Sequence, residues 1–213
     1  MIGVWSYTVI LTYIGLASAV TGIAFSILFA AGEIASIGIP IVCLLFSGFC
    51  DMFDGRIARS KKNRTEREKQ FGIQIDSLCD TVCFGVLPAI IGFCLGGYTV
   101  LRIISAICLI LCGVIRLAYF NVIEMERRSD PNNHDTNYTG LPITSTAIIF
   151  PILFCFKGLL GDNFALVYQI CLIVTAILFI TPFTLKKPQS KVIYSFAVLG
   201  VLLVIILGIL SKI

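Results

Sequence analysis

The chain of 213 residues is 58% hydrophobic and only 13% charged, with a net charge of +4 and a mean hydropathy of +0.98. A soluble fold carries roughly 45–50% apolar and 25% charged residues, so a water-soluble domain is excluded and an integral membrane protein is indicated. The small positive charge marks no nucleic-acid partner, because the basic residues cluster beside apolar runs as membrane topology requires.

A spanning helix needs about 20 mostly apolar residues. That rule predicts an all-α bundle with spans near 7–31, 35–59, 72–95, 99–123, 142–160, 163–183 and 191–211. Residues Met1 to Ser6 hold no basic residue, and the apolar run behind them exceeds a signal-peptide core, so the first segment reads as a retained span. Ala31-Gly32-Glu33 and Gly96-Gly97-Tyr98 predict two tight helical hairpins between antiparallel neighbours. Pro142 and Pro151 punctuate the fifth span, and the polar stretch from Glu124 to Tyr138, which holds the only histidine, His134, reads as a loop. Gly92 and Gly96 have the small-xxx-small spacing of helix–helix contacts. The nine cysteines form no CxxC and lie mostly inside apolar runs, where they read as small packing residues.

Basic residues orient the bundle. With residues 60–71 in the cytoplasm, that side receives Lys61, Lys62, Arg64, Arg67, Lys69, Arg127, Arg128, Lys186, Lys187 and Lys191, against Arg102, Lys157 and Lys212 on the other. This positive-inside bias puts the N-terminus in the cytoplasm, and seven spans put the C-terminus outside.

The stretch from Asp51 to Asp80 carries the chemistry. Asp51 and Asp54 stand at i, i+3, and Asp76 and Asp80 at i, i+4, so each pair occupies one face of a helical segment. Carboxylates bordering membrane spans are costly unless something cationic or functional compensates them. Four of them on two antiparallel helices would be neutralised by two divalent cations, and hard oxygen ligands favour magnesium or manganese. Gly55, Ala58 and Gly72 leave room for a ligand beside the backbone. Arg59, about 80° round the helix from Asp51, lies near enough to the acidic face to meet an anion. Two cations, an arginine and small residues suggest a diphosphate.

The pattern D-x2-D-G-x2-A-R followed by G-x3-D-x3-D, filled by Asp51, Asp54, Gly55, Ala58, Arg59, Gly72, Asp76 and Asp80, resembles the signature of the CDP-alcohol phosphotransferases. The resemblance implies a single domain over 1–213, with its signature at 51–80, a six-helix membrane core presenting the site at the cytoplasmic face, and a homodimer; residues 184–213 would add an extra span. It further implies Asp51, Asp54 and Asp76 as metal ligands, Asp80 as ligand and general base, and Gly55, Ala58, Arg59 and Gly72 as lining for the CDP moiety. Thr12 stands where the family often has the threonine of a Pro-Asn-x-x-Thr motif, with Thr8 and Val9 in the Pro-Asn places. Arg116-Leu-Ala-Tyr-Phe-Asn121, Tyr138-Thr-Gly-Leu-Pro142 and the basic stretch from Pro182 to Pro188 are similar to segments of the phosphatidylserine synthase branch, although Tyr119 replaces an arginine usual there.

That branch implies CDP-diacylglycerol and L-serine as substrates, held among membrane lipids, with Arg116 and Asn121 near the acceptor. The alternatives are another acceptor, inositol phosphate or glycerol phosphate, and a carboxylate-based ion transporter. An acceptor phosphate asks for a second arginine beside Arg116, which Tyr119 does not provide. A transporter asks for paired broken helices, and a prenyltransferase for a second aspartate-rich motif; neither is evident.

Overall fold

The computed structural model describes residues 7–61, 63–129 and 138–185, with the main chain alone for Arg59, Arg127, Arg128, Ser129, Tyr138, Thr139, Thr184 and Leu185. The expected seventh span, Lys186, Lys187, Lys191, Lys212 and His134 lie outside the described residues. The helices are α1 (Ile10–Ala30), α2 (Gly38–Ser60), α3 (Glu66–Asp80), α4 (Leu87–Cys94), α5 (Thr99–Ser129), α6 (Thr146–Cys155), α7 (Lys157–Leu160) and α8 (Phe164–Ile180). Five stretches among the described residues are long and apolar enough to cross a bilayer: Tyr7–Ala30, Gly38–Ala58, Glu66–Cys94, Thr99–Glu126 and Lys157–Ile180. This is an all-α integral membrane protein.

Small residues bring α1 and α2 together. The buried stripe of α1 is Thr12, Gly15, Ala19, Gly22 and Ser26. A Cβ on Gly22 would lie 2.9 Å from the Cys43 Cβ, and one on Gly15 3.2 Å from the Cys50 Cβ. Cys43 and Cys50 thus serve as small packing surfaces, as their apolar setting suggested. At this separation side chains reach across to main-chain groups: Ser47 Oγ donates to the Gly15 carbonyl at 2.9 Å and Ser18 Oγ to the Cys43 carbonyl at 3.1 Å. Such bonds matter in hydrocarbon, where a polar group has no water to turn to.

The third helix starts six residues before the sequence-based boundary of 72. Thr65 Oγ1 accepts from the Glu68 N–H at 3.2 Å, and a Glu68 carboxylate oxygen accepts from the Thr65 N–H at 3.0 Å, a capping box that extends the helix through the charged spacer. Immediately after Asp80 the ladder widens into a π-helical turn, Thr81–Val86, where the Leu87 N–H bonds the Val82 carbonyl. Pro88 has no N–H for the Phe84 carbonyl that an α-helix would pair with it, and Thr146 Oγ1 donates to that carbonyl instead at 3.1 Å. Tyr168, fully buried, donates its hydroxyl to the Pro88 carbonyl at 3.3 Å. The distorted segment is therefore clamped from α6 and α8.

Gly92 packs within the chain. Its Cβ position would fall 2.6 Å from Leu172 Cδ1 of α8, so Gly92 serves the α4–α8 contact, while Gly96 lies beyond the end of α4 in the turn. The expected fifth span over 142–160 is broken. A 3-10 turn at Ile143–Ser145 precedes α6, which ends at Cys155, and α7 and Gly161 at φ +50° lead into α8. The first hairpin is looser than three residues, running from Ala31 to Ile37 with Gly32 at φ +79°, whereas Gly96 and Gly97, both with positive φ, make the second turn tight.

The closest helix approach predicts a stability effect. A Cβ on Gly48 of α2 would stand 2.5 Å from the Ala147 Cβ of α6, which cannot swing aside. Gly48→Ala should therefore destabilise the bundle by about 1–3 kcal/mol. A thermal melt in detergent should shift down by several degrees; an unchanged midpoint would contradict this packing.

Candidate active site

The acids converge where the C-terminal turns of α2 meet the C-terminal end of α3. One carboxylate oxygen each from Asp51, Asp76 and Asp80 lies within 4.8 Å of the other two. All three side chains are half-buried. Asp54, only 7% exposed, stands outside that group of three, one helical turn beyond Asp51 on α2. Its Oδ2 accepts from Thr12 Oγ1 at 2.9 Å, so α1 fixes the carboxylate's orientation.

Two unit charges at such a separation repel by roughly 3 kcal/mol at an effective dielectric of about 20. Among the described side chains, no lysine or arginine pairs with Asp51, Asp76 or Asp80; the two ion pairs are Lys61–Glu68 at 2.7 Å and Lys69–Glu66 at 2.6 Å, both outside the cluster. Converging hard oxygens with no cationic partner among the described side chains fit a divalent cation of the magnesium or manganese type.

Gly55, Ala58 and Gly72 flank the acids and are half-buried. Arg59 lies on α2, and its side chain is outside the described residues. Asn121 reaches the site from α5, because its Oδ1 accepts from Ser77 Oγ at 3.0 Å and Ser77 adjoins Asp76. Arg116, 7% exposed, is placed differently. Its Nε donates to the Leu141 carbonyl at 3.0 Å and its Nη2 approaches the Gly140 carbonyl at 3.5 Å, and no bond joins it to the acids.

Three separated segments meet at Arg116. Tyr138 and Thr139 pair antiparallel with Leu185 and Thr184, and the Gly140 N–H donates to the Phe183 carbonyl at 2.7 Å. Gly140 holds φ +76°, and a Cβ there would lie 3.2 Å from the Thr181 carbonyl, so only glycine suits the position. Arg116, Tyr119, Phe179, Thr181 and Pro182 line a cleft of about 200 Å³. The segments 116–121, 138–142 and 182–188, which the sequence offered as separate resemblances, thus meet through Arg116 and the 138–140 to 183–185 pairing, with residues 186–188 outside the described residues.

Sequence reasoning missed Ser77 and the π-helical turn. Pro88 inside an apolar span was the available signal for the last; a serine beside an aspartate gives none.

The sequence matches the CDP-alcohol phosphatidyltransferase family over residues 5–207, nearly the whole chain. It belongs to that family. Among similar proteins, the CDP-diacylglycerol–serine O-phosphatidyltransferase of Saccharomyces cerevisiae is 38% identical over 120 residues, covering 54% of this chain and 42% of the yeast protein. The enzyme of the same name from Helicobacter pylori strain 26695 is 38% identical over 102 residues, 46% of this chain and 38% of its own length. That of Methanocaldococcus jannaschii is 33% identical over 149 residues, 70% of this chain and 64% of its own. The chain therefore spans less than two thirds of each of these relatives. In this member of the family the acids of the signature and Thr12 form one constellation, which makes a prediction about α1. Thr12→Val removes the hydrogen bond to the Asp54 carboxylate, worth about 1.5–3 kcal/mol for a charged acceptor. The rate of CMP release at subsaturating substrate should fall about tenfold or more, and Thr12→Ser should restore it; equal rates in wild type and Thr12→Val would remove Thr12 from the site.

Proposed function

We propose that this protein transfers a phosphatidyl group from CDP-diacylglycerol to the hydroxyl of L-serine, giving phosphatidylserine and CMP. The observation that carries the reading is the convergence of Asp51, Asp76 and Asp80 from two helices, beside the small residues of the family signature. Serine as acceptor is supported by the names of the three relatives described above. The arginine at 116 without a second one at 119 also suits an acceptor that brings a carboxylate and an amine better than one that brings a phosphate.

Asp51, Asp54, Asp76 and Asp80 would hold two divalent cations, magnesium or manganese. When bound, these would neutralise the diphosphate and the charge developing on the departing CMP oxygen. Thr12 holds Asp54 in one orientation through its hydroxyl. Asp80 takes the proton of the serine hydroxyl as its oxygen attacks the lipid-side phosphorus; that P–O bond forms while the bond to CMP breaks. Gly55, Ala58, Arg59 and Gly72 receive the CDP moiety. Arg116 draws serine's carboxylate into the cleft beside Tyr119, and Asn121, fixed by Ser77, orients the acceptor at the carboxylates.

The basic bias of the charged loop supports a cytoplasmic site, where CDP and serine arrive from water while the acyl chains stay in the bilayer. A homodimer is part of this reading. Purified protein incubated in detergent with CDP-diacylglycerol, manganese and serine, inositol phosphate or glycerol phosphate in parallel tests it: serine should yield phosphatidylserine and CMP, and a product formed only with a phosphorylated acceptor would replace serine. In the same assay Arg116→Lys should raise the KM for serine at least fivefold, because an ammonium cannot keep two carbonyl contacts and a carboxylate in one plane. Unchanged KM values for both substrates would remove Arg116 from the site.

A further inference from the structure

Arg64 occupies a position that the acidic constellation does not explain. It lies in the short connection between α2 and α3, and its guanidinium reaches back over both helices. Nη1 stands 3.4 Å from the Ala58 carbonyl on α2, Nη2 stands 3.2 Å from the Glu68 carbonyl on α3, and Nη2 would lie only 2.7 Å from a Cβ on Gly72. Ala58 follows Asp54 by one helical turn, and Gly72 precedes Asp76 by one, so the guanidinium bridges the two acid-bearing helices about one turn beyond those aspartates. Its Nε is shielded from solvent and has no partner.

The bonding is weak for a cation. Arginine's charge-assisted bonds to carboxylate or phosphate run about 2.7–2.9 Å, whereas Arg64 reaches two neutral carbonyls at longer range. The nearby Glu68 carboxylate is already bonded by Lys61 Nζ at 2.7 Å and the Thr65 N–H at 3.0 Å. That capping arrangement fixes the loop and leaves Arg64 pointing into the clearance made by the glycine and alanine. A planar fork of donors, partly buried, loosely tethered and held on the same two helices as the carboxylates that could take divalent cations, suits one class of ligand above others: a diphosphate carried on those cations.

We propose that Arg64 binds the diphosphate of the nucleotide substrate, exchanging its two carbonyl contacts for phosphate oxygens. The assignment rests on the reading of this protein as a CDP-diacylglycerol transferase. It adds a cation outside the signature, from a connection that the sequence presents as a solvated charged spacer. The long bonds to Ala58 and Glu68 keep the guanidinium near its working position, so a modest shift suffices.

The test separates phosphate binding from simple bracing of the α2–α3 connection. Binding of CDP and of cytidine to the purified, manganese-loaded protein is measured by calorimetry for wild type, Arg64→Gln and Arg64→Lys, with a thermal melt of each. Arg64→Gln should weaken CDP about ten- to thirtyfold and cytidine less than twofold, with Arg64→Lys between wild type and Arg64→Gln for CDP. In turnover, Arg64→Gln should raise the KM for CDP-diacylglycerol tenfold or more while the KM for serine stays within twofold. Equal weakening of CDP and cytidine, or no weakening of CDP, overturns the proposal, and Arg64 then only braces the connection. If Arg64→Gln does not fold, Arg64→Lys decides: CDP affinity equal to wild type overturns the proposal, and a selective loss upholds it. A wild type that binds CDP yet makes no serine lipid defeats the acceptor assignment and leaves Arg64 standing; a wild type that binds no CDP defeats both.

Discussion

Asp80→Asn should abolish CMP release, lowering kcat by about a thousandfold or more. The substitution keeps the side chain's shape and removes both its negative charge and the proton-accepting capacity proposed for it, an acid–base contribution worth about 10²–10⁴ in rate. Asp80 is the last residue of α3, directly before the π-helical turn, with its carboxylate grouped with those of Asp51 and Asp76. Widening the helix at that point turns the residues beyond Asp80 by a fraction of a turn, so the carboxylate stands at the register change. The Thr146 hydroxyl on Phe84 and the Tyr168 hydroxyl on Pro88 hold that register. Single-turnover CMP release and manganese affinity, measured on the same preparation, check the role. Turnover that stays lost at saturating manganese identifies the base beyond its part in holding metal. Normal turnover means that Asp80 serves some other purpose.

Removing divalent cations should be equally severe. Incubation with a chelator is expected to reduce activity at least a thousandfold, since the diphosphate would face clustered carboxylates with no divalent charge between them. Magnesium or manganese should restore it, and zinc should restore little, because the donor set is carboxylate oxygen without a histidine or cysteine among the grouped ligands. Asp51→Asn and Asp76→Asn should each raise the magnesium concentration needed for half-maximal rate by tenfold or more. Full activity in chelator would be incompatible with the mechanism.

Hydropathy located the bundle because membrane spans must be apolar over a fixed length; α1, α2, α5 and α8 lie close to where the sequence puts them. Helix ends were harder. The Thr65–Glu68 capping box is readable as T-x-x-E, yet the charged spacer masked it, and the third helix begins at Glu66. The break after Cys155 depends on how α6 sits against α2 and α8, which no local pattern encodes. At the site, the spacing of the aspartates was sufficient to put each pair on one face. Thr12 was reached only through resemblance, because a contact across 42 residues leaves no periodic trace. Ser77 went unnoticed for the same reason, its bond to Asn121 crossing 44 residues, whereas Arg64, whose contacts are local, read only as one of the basic residues of the cytoplasmic loop. Arg116 read as a buried cation in a span and is one, but its described partners are main-chain carbonyls of the 140–141 turn, a pairing set by long-range packing.

The central claim is that these aspartates form a paired divalent-cation site. Manganese titration followed by electron paramagnetic resonance tests it directly, since two bound ions a few ångströms apart couple magnetically. The account predicts two manganese ions per chain with a coupled spectrum that disappears in Asp76→Asn. Absence of binding, or binding unaltered by that substitution, would contradict it.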